Sequence, residues 1–128
     1  MKYLYEKDLR QMKYNILTST RHDLAVKELA RRLDVSDQKL RMILIRDFDM
    51  SLLENLQARY EMGLLHADRG DPIAGALGCE FFTRFIPLVE PGTMQAIYND
   101  VRAAIAAGTP EVPAIDDGKA KIREAIKR

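Results

Sequence analysis

At 128 residues, with 47% apolar and 30% charged side chains, the chain is long enough to bury one real core and ordinary enough in composition to be globular. No Trp and only 7% aromatic residues argue against a stacking platform for single-stranded bases, and a lone Cys, Cys79, excludes an internal disulfide and makes a structural zinc site untenable. The net charge of +1 hides a gradient: residues 1–46 hold eleven Lys/Arg against six Asp/Glu, residues 47–100 three against nine, and residues 101–128 six against four.

A basic N-terminal part and an acidic middle suggest two different partner surfaces. No apolar run follows a basic start, and no 18-residue uncharged stretch exists. Neither a signal peptide nor a membrane span is therefore expected, and with one free thiol the expected compartment is the cytoplasm.

Residues 3–19 read as the first helix. Leu9, Met12 and Ile16, with Leu4 or Tyr5 before them, form one apolar seam. Such a helix either packs on its own domain or pairs with a copy. Thr20 to Asp23 supplies polar breakers and an N-cap for the next helix.

The stretch Val26 to Arg46, VKELARRLDVSDQKLRMILIR, carries the strongest local pattern. Leu29, Ala30 and Leu33 mark one helical face, and Leu40, Ile43 and Leu44 mark another. Between them Asp34, Val35 and Ser36 break the period. Ser36 is suited to cap the second helix, and Asp34 stands where the corner requires a left-handed backbone. This is the pattern of a helix-turn-helix, whose second helix enters the DNA major groove. Its candidate contacts are Arg31 and Arg32 at the end of the first helix, and Gln38, Lys39, Arg41 and Arg46 on the second. Gln and Arg match base edges, whereas Lys and Arg neutralise phosphates. The plainer reading of the same residues is a packed helix pair with solvated charges.

After a polar joint at residues 47–51, Ser51-Leu-Leu-Glu54 matches a capping box opening a helix that runs to about Ala67, interrupted by Gly63. Asp68-Arg-Gly-Asp-Pro72 is a turn in which Asp71 caps and Pro72 takes the first helical position. The helix over about 72–86 is apolar almost all round, so it either fills the centre of the domain or lies against another subunit. Pro87 ends it. Pro91-Gly92-Thr93 opens a helix closed by Gly108, Thr109 to Pro113 is an extended joint, and Asp116 or Asp117 caps a last helix with a basic end at Lys121, Arg123, Lys127 and Arg128.

The sum is an all-α fold: a compact, dimeric helical domain of six to seven helices containing a helix-turn-helix, over residues 1–108, with a C-terminal joint and helix over 109–128. No enzyme signature stands out. His22 and His66 lack ligand-spaced partners, no phosphate loop or nucleophile elbow is present, and Cys79 sits in an apolar run. Neither a cofactor nor a metal is expected.

Three pieces resemble the FlhD family, the D subunit of the bacterial flagellar master activator: Tyr5-Glu-Lys-Asp-Leu9 with the helix after it, Arg32-Leu-Asp-Val-Ser-Asp37, and Phe48-Asp-Met-Ser-Leu-Leu-Glu-Asn-Leu56 followed by Gly63-Leu-Leu-His66. The resemblance covers residues 5–86. It implies a homodimeric, DNA-binding activator subunit acting on double-stranded DNA with a second, FlhC-like protein that carries the zinc. The resemblance puts His66 at the position of an intersubunit Cys, so that disulfide is not implied. The segment after Pro87 is unlike the family. The competing expectation, drawn from the acidic middle, the greasy 72–86 helix and the first seam, is a helical protein–protein interaction or assembly protein without DNA binding.

Overall fold

The computed structural model describes residues 2–66 and 69–126, and for residues 2–5 and His66 the backbone only. Expectations for the Leu4 and Tyr5 side chains, the His66 side chain, Ala67, Asp68, Lys127 and Arg128 lie outside the described residues. Among the described residues all regular structure is helical, as the periodicity leads one to expect. Two compact units divide the chain, Met1–Ala58 and Arg59–Arg128.

The first unit holds α1 (Lys2–Thr18), α2 (Thr20–Leu33), α3 (Asp37–Asp47) and α4 (Met50–Glu54). α1 packs on each of the other three, and α2 packs on α3. Leu17, Val26, Leu29, Ala30, Leu40, Leu44 and Leu53 are fully or almost fully buried here. Lys13 is buried with them. Its ammonium donates to the Ile45 carbonyl at 3.1 Å, near the C-terminal end of α3, where helix carbonyls want a cation.

The expected breakers at Thr20 to Asp23 are helical instead. Only Ser19 separates α1 from α2, and its hydroxyl bonds back to the Ile16 carbonyl at 2.7 Å. His22 reads as structural: its Nε2 bonds the Glu54 carbonyl at 3.1 Å, and a carbonyl acceptor makes that nitrogen the donor. The capping box at Ser51 is also replaced. Asp49, two residues earlier, caps α4 by accepting from the Leu52 amide at 2.8 Å, and α4 then stops at Asn55 rather than running to 67.

The division between units falls inside α5 (Leu56–His66). The second unit continues with α6 (Pro72–Leu77), a π-helical turn at Phe81–Phe85, α7 (Pro91–Ala106) and α8 (Glu111–Ile126). α7 and α8 make the most extensive pairing, and α6 rests on both. The expected single helix over 72–86 is therefore broken. Gly78 takes φ 74° and closes α6 through its amide to Ala74 and Gly75, after which the chain widens so that the Ile86 amide reaches the Phe81 carbonyl at 2.9 Å. This wide turn buries both Phe81 and Phe82, their rings edge to face at 5.1 Å, with Tyr60 edge-on to Phe81 at 5.7 Å. The apolar run is thus consumed inside its own unit.

Glycine permits the closest approaches. A Cβ at Gly63 would stand 2.6 Å from the Phe81 ring, and one at Gly118 would stand 2.6 Å from Val101 and 2.8 Å from Leu77. The expected joint at Thr109–Pro113 is shorter than the residues suggested. α8 opens at Glu111, with Pro113 inside its first turn, where no intrahelical donor is needed, so Asp116 and Asp117 lie within the helix and cap nothing.

Candidate interaction surface

The corner between α2 and α3 has the geometry expected of its residues. Asp34 takes φ 55°, ψ 49°; its amide bonds the Arg31 carbonyl at 3.2 Å and the Val35 amide bonds the Ala30 carbonyl at 3.0 Å. These two bonds are a Schellman closure, built here on Asp where Gly is usual. Ser36 caps α3, its hydroxyl accepting from the Lys39 amide at 3.1 Å.

The six residues singled out around this corner do not form one basic face. Arg31, Arg32, Gln38 and Lys39 are exposed. Arg41 is not among them: its side chain is 17% exposed and its guanidinium donates to Asp23 at 2.8 Å, tying α3 to α2. Lys27 takes the other Asp23 oxygen at 3.1 Å. Chiefly because of that Lys27 bond, reinforced by the charge of Arg41, the Asp23 carboxyl titrates below the ordinary range. Arg46 is exposed but folded onto its neighbour Asp47 through two 2.8 Å bonds. The corner is a rigid element whose central cation is spent on its own structure.

In the second unit, Asp71 caps α6, accepting from Ile73 and Ala74 amides at 3.1 and 3.2 Å, and also accepts the Tyr98 hydroxyl of α7. That hydroxyl, followed by the backbone donors, holds the Asp71 carboxyl below its ordinary value, and the bond to the Asp71 carboxylate in turn pushes the Tyr98 phenol up. A shallow groove of about 430 Å³ opens beside this pair, with Ala74, Cys79, Met94 and Pro91 in its lining and Glu80 and Arg84 paired at 2.8 Å along it. The polar groups named here already bond one another. The groove joins α6 to α7 and assembles no nucleophile–base pair. Among the described residues no cluster of three or more His, Cys, Asp or Glu is placed to hold a metal ion.

The feature that periodicity did not single out is the end of α5. Leu56, Tyr60 and Gly63 turn inward, and Arg59 donates to the Phe85 carbonyl at 3.1 Å, closing the π-turn. The opposite side shows Met62 and Leu65 at 53% and 62% exposure, with Leu64, 44% exposed, on the flank. Met62 and Leu65, one turn apart, form a small apolar patch; Met12, Tyr14, Leu24, Met42 and Val112 are exposed on other helices. The sequence signal is Met62-Gly-Leu-Leu65, which leucine spacing alone does not distinguish from a buried helix face.

Fold and surface together define, among the described residues, an all-helical protein with an exposed apolar helix end. More particularly, the sequence model described as EhaM-like matches residues 13–127, nearly the whole chain, and the protein belongs to that family. Searches of curated proteins and of solved structures each return no match.

This membership corrects the FlhD resemblance and what came with it. The pieces that carry the resemblance end at His66 and the region it covers at residue 86, whereas the family match continues through α7 and α8, the most extensively packed pair in the fold. Those pieces were caps, a corner and leucines at helical spacing, which any small helical protein requires. The DNA-binding activator, its homodimer, its double-stranded DNA and its FlhC-like partner are withdrawn with it, and so is the cytoplasmic placement argued alongside them. Among the described residues no helix is long and apolar enough to cross a membrane.

Proposed function

We propose that this protein is a non-enzymatic helical interaction module that assembles with another protein through the exposed end of α5. The observation that carries this reading is the exposed pair Met62 and Leu65 on a helix whose opposite side holds Tyr60 and Gly63 buried, with Arg59 bonded to the Phe85 carbonyl. Such a patch costs solubility in isolation and is relieved by burial against a partner. A short helix face of this kind is a common way to seat one protein on another. The corner of α2 and α3 supplies rigidity in the first unit, and the exposed polar residues Arg31, Arg32, Gln38 and Lys39 have no nucleic-acid role in this reading.

The test is co-purification from the native cells of a tagged full-length chain in three forms: unaltered, Met62→Asp/Leu65→Asp, and Val112→Asp. The third changes a solitary apolar residue that is 69% exposed. The proposal expects one or a few proteins to fall by at least about tenfold with the α5 variant alone, since truncating a central apolar contact costs about 2 kcal/mol or more. Equal recovery with all three chains would overturn it.

A further inference from the structure

We infer that Met62 makes docking at the end of α5 redox-sensitive: oxidation of its thioether to the sulfoxide blocks assembly, and reduction restores it. This rests on the docking reading above and adds the regulation of that surface. Among the described residues, Met12, Met42 and Met62 are 53%, 64% and 53% exposed, whereas Met94 is 2% exposed. Of these, Met62 alone is followed one turn on by a second exposed large apolar side chain, Leu65. An exposed thioether takes one oxygen from a hydroperoxide; its sulfur is oxidised, and the O–O bond breaks to leave water or an alcohol. A sulfoxide reductase reverses the step with two thiols, which become a disulfide while the oxygen leaves as water. Oxidation thus turns a soft apolar group into a strong hydrogen-bond acceptor. Leu65 offers that oxygen no donor, so a partner seated on the pair meets a polar atom where it needs hydrocarbon. Once seated, the partner covers the sulfur, so the switch acts on the unassembled chain. The single thiol, Cys79, lines the groove between α6 and α7 and is not part of the patch.

The experiment treats the purified, tagged full-length chain with dilute hydrogen peroxide, removes the oxidant and mixes the chain with untreated extract of the native cells. Three forms are compared: unaltered, Met62→Leu and Met12→Leu/Met42→Leu. Peptide mass spectrometry scores each methionine, and recovery is scored for the proteins that Met62→Asp/Leu65→Asp fails to hold. The inference expects Met62 to oxidise as readily as Met12 and Met42, with Met94 spared. Recovery should then fall about fivefold or more for the unaltered chain and equally for Met12→Leu/Met42→Leu. It should return after treatment with methionine sulfoxide reductase and a thiol. Met62→Leu, measured against its own untreated form, should lose nothing to peroxide. An unchanged far-ultraviolet circular dichroism spectrum excludes unfolding as the cause.

Full conversion of Met62 with recovery unchanged, or an equal loss in Met62→Leu, would overturn the redox switch and leave the docking reading standing. So would a Met62 that stays reduced while Met12 and Met42 oxidise. Untreated chains that recover the same proteins with and without Met62→Asp/Leu65→Asp would overturn both.

Discussion

Gly63 and Gly118 are the residues on which the second unit turns. A methyl at Gly63 would overlap the Phe81 ring, and one at Gly118 would overlap Val101 and Leu77. Alanine should gain roughly 1 kcal/mol of helix propensity at each site. Overpacking should cost about 1–3 kcal/mol, because the atoms it meets belong to buried side chains. Gly63→Ala and Gly118→Ala are therefore expected to lower the urea midpoint, whereas Gly92→Ala, with nothing within 4 Å of its Cβ, should not. A raised midpoint for Gly63→Ala would mean that Phe81 does not lie against α5. Asp71 sets the acid limit at the same scale. Its folded pKa is depressed by Tyr98 and the helix amides, so its contribution is present above the unfolded value near 3.8 and is lost as pH falls through the lower folded one. Asp23 and Asp47 act in the same direction. Stability should hold through pH 5–7 and decline below about pH 4, less steeply in Asp71→Asn; a decline of equal slope in the two chains would remove Asp71 from the account.

Among the elements, α2 and α3 were the most legible in the sequence. Their apolar periods, the Ser36 cap and the strained Asp34 all appear as read, because each depends on neighbours only a turn away. Ser36→Ala should cost about 1 kcal/mol by losing the Lys39 amide's acceptor. Asp34→Gly should recover up to about 1 kcal/mol by relieving a positive φ, measured as a rise in the urea midpoint. What was not legible depended on tertiary context. Arg41 has the look of a surface cation until Asp23 is brought to it across the corner. The 72–86 segment reads as one helix because its residues all favour burial, and only the packing of two phenylalanines makes Gly78 and the π-turn preferable. Asp49 rather than Ser51 caps α4, directly after the buried Phe48, a placement that the spacing of Ser51 and Glu54 does not reveal.

For the molecule as a whole, the sequence conveyed the all-α class, the acidic middle and the interaction reading that was set beside the regulator. It did not convey the site. Whether leucines at helical spacing face a core or a solvent is decided by which neighbours exist, and at the end of α5 Tyr60 and Gly63 are buried whereas Met62 and Leu65 are exposed. The most direct measurement is photo-crosslinking from position 65: benzoylphenylalanine replaces Leu65 in the full-length chain, irradiated in the native cells, with position 112 substituted in parallel. The account predicts a discrete protein adduct from position 65, abolished by Met62→Asp, and none of that mass from position 112. The same adducts from both positions, or an adduct from position 65 to nucleic acid, would contradict it.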